Sequence, residues 1–188
     1  RLLNLKQYFI VMFKKPLAIC LVILLWSCKE QTQKGLPHVI IETAYGEIEI
    51  ELYTHKAPLT ANAFLTYIDS GYYNQSNFYR VLNMYNQPSN APKAFLVQGG
   101  IWKSNNKLAQ SLQGIPHEST KQTGILHKEG TISMARNEPG SGGPEFFIMV
   151  EDETGFDFGG ENMADGLGFA AFGSVVKGYA TKASDIDL

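Results

Sequence analysis

Gly130–Val150, GTISMARNEPGSGGPEFFIMV, is the stretch on which the fold turns. Two short apolar runs, Thr131–Ala135 and Phe146–Val150, flank a loop of Asn, Pro, Gly and Ser. The runs are β-branched, aromatic or otherwise apolar almost throughout, the pattern of strands buried on both faces. The loop carries the residues of a rigid, exposed turn system. Two readings are open at this point. One is a wide connection between core strands. The other is a pocket for an apolar side chain of a peptide, because Met134, Ala135, Phe146 and Phe147 set small and large apolar groups beside free backbone donors.

The 188 residues, with ordinary apolar, charged and Gly/Pro fractions, suit one globular domain with a sizeable core. Residues 1–27 hold four cations and no acid, so the remainder stands at −6 against −2 for the whole chain. A mildly acidic domain gives no electrostatic case for nucleic acid. Cys20 and Cys28 both lie near the N-terminus without a CxxC partner or a spaced His pair. Neither structural zinc nor a disulfide framework is expected, and no metal.

Upstream of the deciding stretch, Lys14–Lys15 precede the apolar run Leu17–Trp26, which is short for a membrane span, and Leu25-Trp26-Ser27-Cys28 follows. A basic region, a short apolar region and a small residue before a cysteine describe a secretory signal over 1–27. The tetrapeptide resembles a bacterial lipobox, which implies lipidation of Cys28. An uncleaved anchor helix and an ordinary signal peptide are the other readings. All three place the domain outside the cytoplasm. The signal pattern starts at Met12, which leaves Arg1–Val11 ahead of it.

Residues 28–37 read as a polar tether and 38–188 as the folded domain. His38–Thr43 and Glu47–Leu52 flank a turn, and the second alternates charged with apolar, so a hairpin with Ile48, Ile50 and Leu52 inward is expected. In Pro58–Ser70 the period changes: Leu59, Ala63, Phe64, Tyr67 and Ile68 recur at helical spacing, with Pro58 in the first turn and Gly71 after the end. Asn77–Leu82 and Phe95–Gln98 read as strands around the loop Asn83–Ala94, with Gly99-Gly100 ending the second. Ile101–Leu126 reads as irregular, Glu151–Gly168 as an acidic Gly-rich loop and Phe169–Val176 as the last strand. Short strands with about one helix predict a mainly β domain, an antiparallel barrel or sandwich with helical plugs.

Together these segments resemble the cyclophilin-type peptidyl-prolyl cis-trans isomerases, most closely their bacterial branch. The resemblance rests on Ile41-Glu42-Thr43 with Gly46 and Ile48–Leu52, on Pro58, Asn62 and Phe64, and on Phe78-Tyr79-Arg80-Val81. It continues through Phe95–Gly100, Gly130–Arg136, Glu145-Phe146-Phe147-Ile148 and Phe169–Gly173. It implies an eight-stranded closed barrel with capping helices and an outer groove for an Xaa–Pro peptide. Arg80 matches the catalytic arginine; Phe95, Leu96 and Phe147 match the proline-pocket walls, and Gln98 the glutamine beside them. Ala135, Arg136 and Asn137 match the segment that holds the peptide on the other side, partly through backbone groups. Phe169 falls where many members have histidine. No cofactor is implied. The expected partners are proline-containing polypeptide clients and, through the lipid anchor, a membrane; a monomer facing the periplasm or cell surface of a bacterial envelope is expected.

Each residue also has a plainer reading. An arginine in such a strand is by default a solvated charge, Phe95, Leu96 and Phe147 alone would be core, and Gln98 would cap a strand end. Their joint occurrence favours the site, while Phe146 and Phe172 are expected in the core. His117 and His127 read as surface or supporting groups, no Ser-His-Asp order stands out, and Gly140-Ser141-Gly142 lacks the setting of a nucleophile elbow. Three departures from the family pattern are visible. Asn83–Ala94 is longer than the family's turn. The aromatic-Leu-Asp segment appears only as Gly155-Phe156-Asp157, so Phe156 is expected to fill the wall. The family's second helix and closing strand have no counterpart in Gly178–Leu188. The rival readings are a non-catalytic proline-peptide-binding or chaperone module and, more distantly, a structural lipoprotein.

Overall fold

The computed structural model describes residues 35–88, 90 and 92–178. The signal segment, Cys28, most of the tether and the chain after residue 178 lie outside the described residues.

Seven strands form one antiparallel sheet: β1 (His38–Thr43), β2 (Gly46–Leu52), β3 (Asn77–Leu82), β4 (Leu96–Gly100), β5 (Thr131–Met134), β6 (Phe146–Met149) and β7 (Ala170–Lys177). Their order is β1-β2-β7-β5-β6-β4-β3. The described residues therefore supply seven strands, with β1 and β3 at the two ends, where a closed barrel of eight was expected. The β1–β2 hairpin folds as its alternation predicts: Ile50 and Leu52 are fully buried and Ile48 half-buried.

Every residue of β5 and β6 is buried, because the sheet is covered on both faces at its centre. Ile132, Met134, Phe146 and Ile148 enter one cluster with Ile50, Leu52 and Phe172. Helix α1 (Pro58–Asp69) closes that face, with the Phe64 ring 5.4 Å from Phe146 and 5.1 Å from Phe172. Burying each such ring stabilises by about 1.5–3 kcal/mol. Phe147 and Met149, pointing the other way, enter a second cluster with Ala94, Leu96 and Phe156.

The expected apolar face of α1 is rotated at its start. Leu59 is 49% exposed, while Thr60 and Ala61 are buried. The cause is Glu118, whose carboxylate accepts from Leu59 N (3.2 Å), Thr60 N (2.8 Å) and the Thr60 hydroxyl (2.7 Å). Ala57 at the N-cap has no capping side chain, so the orphan donors of the first turn are satisfied from 58 and 59 residues away.

β4 continues through both glycines instead of ending at Gln98, pairing Phe78 with Gly99 and Asn77 with Gly100. A Cβ at Gly99 would stand 2.9 Å from Phe78 Cδ1, so glycine is what lets the Phe78 ring lie across the strand. The stretch 101–126, expected to be irregular, holds two short helices. α2 (Asn106–Ser111) is capped by the Asn105 side chain, and α3 (Thr120–Thr123) by a Ser119/Gln122 capping box before Gly124. A 3-10 turn at Thr154–Phe156 interrupts the acidic loop.

Candidate active site

The outer face of the sheet sets the sequence-predicted residues in one row. Arg80 on β3 pairs with Gln98 on β4, Gln98 with Phe147 on β6, and Phe147 with Ser133 on β5. Directly opposed residues share a face. Along this row the side chains pass from exposed Arg80 through half-buried Gln98 to Phe147 and Ser133, which are 3% and 0% exposed. The register thus sets a cation in solvent beside an apolar floor.

The floor is aromatic. The Phe147 ring lies 5.2 Å from Phe169, edge to face, and 5.5 Å from Phe156, which is itself 5.1 Å from Phe169. Leu96 is buried in the same cluster, with Leu82 and Ala135 packed against it. Phe95 is half-buried, its carbonyl accepting from Val150 N. Phe156 comes from the 3-10 turn, so a one-turn change of backbone supplies the wall.

A polar chain runs away from Arg80. Arg80 Nη1 donates to Gln98 Oε1 (3.1 Å), Gln98 Nε2 donates to Tyr79 Oη (3.0 Å) and Tyr79 Oη donates to Glu145 Oε2 (2.5 Å). Glu145 Oε1 accepts from Ile101 N and Trp102 N, both at 2.8 Å. A register shift between Phe78 and Arg80 leaves Tyr79 outside the ladder, which re-aims its side chain along the chain. Burial raises the Glu145 carboxyl above its ordinary range against the opposing pull of its three donors. Burial, then the bond to Glu145, pushes the Tyr79 phenol well up. Tyr79 and Glu145 were not among the sequence-predicted site residues; the available signal was a carboxylate heading the apolar run Phe146–Val150.

The segment expected to hold a peptide is engaged within the molecule. Ala135 N donates to Glu145 O and Asn137 N to Ser141 Oγ, while Asn137 O accepts from Arg136. The Arg136 side chain is 2% exposed. Its five donors are matched by five bonds: Nε and Nη2 to Gly168 O, Nη1 to Asn137 O, and Nη1 and Nη2 to the two oxygens of Asp165. The bidentate bond from Arg136, then the Leu167 N–H, lowers the Asp165 carboxyl to about 2. With its guanidinium 5.5 Å from the Phe169 ring, Arg136 ties the loop before β7 to the aromatic wall.

Behind Phe147 stands His127, 1% exposed, with Nδ1 2.8 Å from Asp157 Oδ1 and Nε2 3.0 Å from Ser133 Oγ. Its ring stacks at 20° to Phe147. Asp, His and Ser thus meet in the geometry of a hydrolytic triad that the sequence order did not reveal. Ser133 is fully buried in mid-strand, so no substrate reaches its hydroxyl, and the array supports Phe147 from below. His117 is half-buried, Nε2 against Leu167 O at 3.1 Å. A separate small hollow, lined by Thr60, Ile115, Pro116, His117, Met134 and Arg136 among others, contains none of Arg80, Gln98 or Phe147.

This fold has known counterparts. The family model described as cyclophilin type peptidyl-prolyl cis-trans isomerase/CLD matches residues 38–183. Peptidyl-prolyl cis-trans isomerase A of Dickeya dadantii is 37% identical over 142 residues, 75% of this chain and 66% of that protein. Peptidyl-prolyl cis-trans isomerase of Acinetobacter baylyi is 36% identical over 74% of this chain, again 66% of that protein, and isomerase B of Escherichia coli is 34% identical over 74% and 78%. The crystal structure of a cyclophilin type peptidyl-prolyl cis-trans isomerase of Cryptosporidium parvum superposes with a TM-score of 0.57 at 22% identity, over 78% of this chain and 81% of that one. The chain belongs to the cyclophilin-type peptidyl-prolyl cis-trans isomerase family.

Proposed function

We propose that the chain accelerates rotation about Xaa–Pro bonds of polypeptide clients, with Arg80 stabilising the twisted amide and the Phe147–Phe156–Phe169 wall holding the proline ring. The peptide bond resists rotation by roughly 18–20 kcal/mol, so Xaa–Pro exchange takes tens to hundreds of seconds. Halfway through, the proline nitrogen has lost conjugation and its lone pair is localised. A donor aimed there stabilises the twisted state over the planar one. Arg80 is always charged and, among the described residues, bonds only Gln98. No bond is broken, so the chemistry calls for no cofactor. One hydrogen bond to a charged group, about 1.5–3 kcal/mol, gives roughly 10- to 150-fold; fixed orientation in the apolar groove supplies the rest.

The observation that carries this reading is the row Arg80, Gln98, Phe147 across three adjacent strands. The names of the relatives support it. The engaged backbone of Asn137 favours a second reading, a non-catalytic proline-peptide-binding or chaperone module with the same groove. The deciding experiment is protease-coupled isomerisation of a short Ala-Pro peptide by the wild type and by Arg80→Ala at matched folding. Acceleration that falls roughly 10- to 150-fold in the variant is expected. A folded wild type that binds the peptide without accelerating its isomerisation would leave the module reading standing.

Two finer readings go with this one. The seven strands are the larger part of an eight-stranded closed barrel, a reading supported by the two sheet ends, β1 and β3. The protein is exported and lipid-anchored through Cys28 on a bacterial envelope, supported by the pattern of residues 12–28. Incorporation of labelled fatty acid by the wild type and its loss in Cys28→Ser is the expected result.

A further inference from the structure

The polar chain has a direction, and counting protons shows what sets it. Arginine only donates, an ionised carboxylate only accepts, a phenol has one proton, and a glutamine has one accepting and one donating end. The Tyr79 proton goes to Glu145 Oε2, which has none to return. The phenol oxygen is then free to accept, so Gln98 gives it Nε2 and turns Oε1 to Arg80. Glu145 cannot turn away, because its other oxygen is held by Ile101 N and Trp102 N. Gly100 makes room for it: a Cβ there would stand 2.5 Å from Glu145 Oε2.

We propose that Glu145, acting through Tyr79 and Gln98, is the positioning residue that fixes which end of Gln98 faces Arg80, and so where the guanidinium rests in the groove. This rests on the reading of Arg80 as the group that meets the twisted amide. In Glu145→Gln the single side-chain oxygen must stay with the two backbone N–H groups, so an amide nitrogen faces Tyr79. The phenol proton then turns to Gln98, whose NH2 is driven against Arg80. Two donors face each other, and Arg80 loses its acceptor. In Gln98→Glu alone, two carboxylates compete for one phenol proton. In the double variant Gln98→Glu/Glu145→Gln the chain is satisfied again in the reverse sense, because the carboxylate introduced at position 98 accepts from Tyr79 and from Arg80 together.

The test measures kcat/KM of the full chain with an Ala-Pro peptide for the wild type, both single variants and the double variant, with circular dichroism to match folding. Each single variant is expected to lose about tenfold, what one such bond is worth, and the double variant to recover at least about threefold over both singles, a non-additive coupling. Nuclear Overhauser contacts of the Gln98 side-chain amide give a readout independent of turnover: to the Tyr79 ring in the wild type, lost in Glu145→Gln. That contact present in the wild type and lost in Glu145→Gln, with a wild type that does not catalyse, supports the direction set by Glu145 and sinks the isomerase reading alone. An unswitched contact, single variants at wild-type rate, or a double variant no better than the singles overturns the proposal.

Discussion

Phe146 and Phe147 are the same residue one position apart on the same strand, and they lie on opposite faces of the sheet. On the inner face Phe146 meets Phe64, Tyr73 and Phe78 at 5.4, 5.7 and 5.9 Å, within a cluster closed by α1. On the outer face Phe147 meets Phe156 and Phe169, both carried by the loop after β6, and the cluster is bordered by Arg80 and Gln98. Both rings are at least 95% buried, so burial alone does not tell a core from a groove floor. What differs is the neighbourhood. The inner cluster is fringed by more apolar side chains, whereas the outer one is bordered by polar groups, Arg136, Gln98 and Arg80 among them. The first is a sealed core, and the second lies beside the candidate site residues Arg80 and Gln98.

The largest effect expected from separating the two faces is on the inner one. Phe64→Ala should cost about 3–5 kcal/mol in urea unfolding, with kcat/KM per folded molecule unchanged. A comparable loss of activity in the folded fraction would show that the faces are not separable. Next comes the tie that seats α1: Glu118→Ala leaves the buried donors of Thr60 and the part-buried Leu59 N–H unmatched and should cost about 1–3 kcal/mol by the same measurement.

A smaller change of opposite sign is expected at Tyr73, whose hydroxyl is buried without a hydrogen-bond partner among the described residues. Tyr73→Phe should stabilise by about 1 kcal/mol. A loss would mean that the hydroxyl finds a partner in the folded chain. The smallest effect belongs to the outer face. Asp165, solvent-accessible, has its carboxyl lowered from 3.8 to about 2, so its contribution is present above the ordinary carboxylate value and is lost as pH falls toward 2. Protection of the Leu167 amide from hydrogen exchange should fall across that window while global unfolding moves little. Asp165→Asn should show the reduced protection already at neutral pH.

The sheet was legible wherever one strand carried its own pattern. The alternation of Glu47–Leu52, the largely apolar run at β5 and the unbroken one at β6 need no partner to be read. Arg80, Gln98 and Phe147 were legible as a constellation, and the register brings them together. The rest depended on partners distant in sequence. Glu118 is unrelated by spacing to the helix it caps, so the exposure of Leu59 could not be foreseen. Arg136 was expected to face a peptide, yet its side chain closes on Asp165 and Gly168, a tie that exists only once the loop before β7 has folded back. Glu145 reads as a charge at a strand start until Tyr79 is bulged out of its ladder to meet it.

A final consequence attaches to β6, Phe-Phe-Ile-Met, which is apolar at all four positions. A slip of one residue against β4 would turn every side chain to the other face, yet in one direction it would set Phe147 where Phe146 lay and Met149 where Ile148 lay, and only at the place of Phe147 would an aliphatic chain replace a ring. Hydrophobicity therefore gives this strand almost no means of telling correct alignment from its neighbour. Glu145 does, because a slip would take its carboxylate from Tyr79, Ile101 and Trp102 together and strand it half-buried. The cost of that stranded carboxylate is what separates the native alignment from its neighbour on this strand.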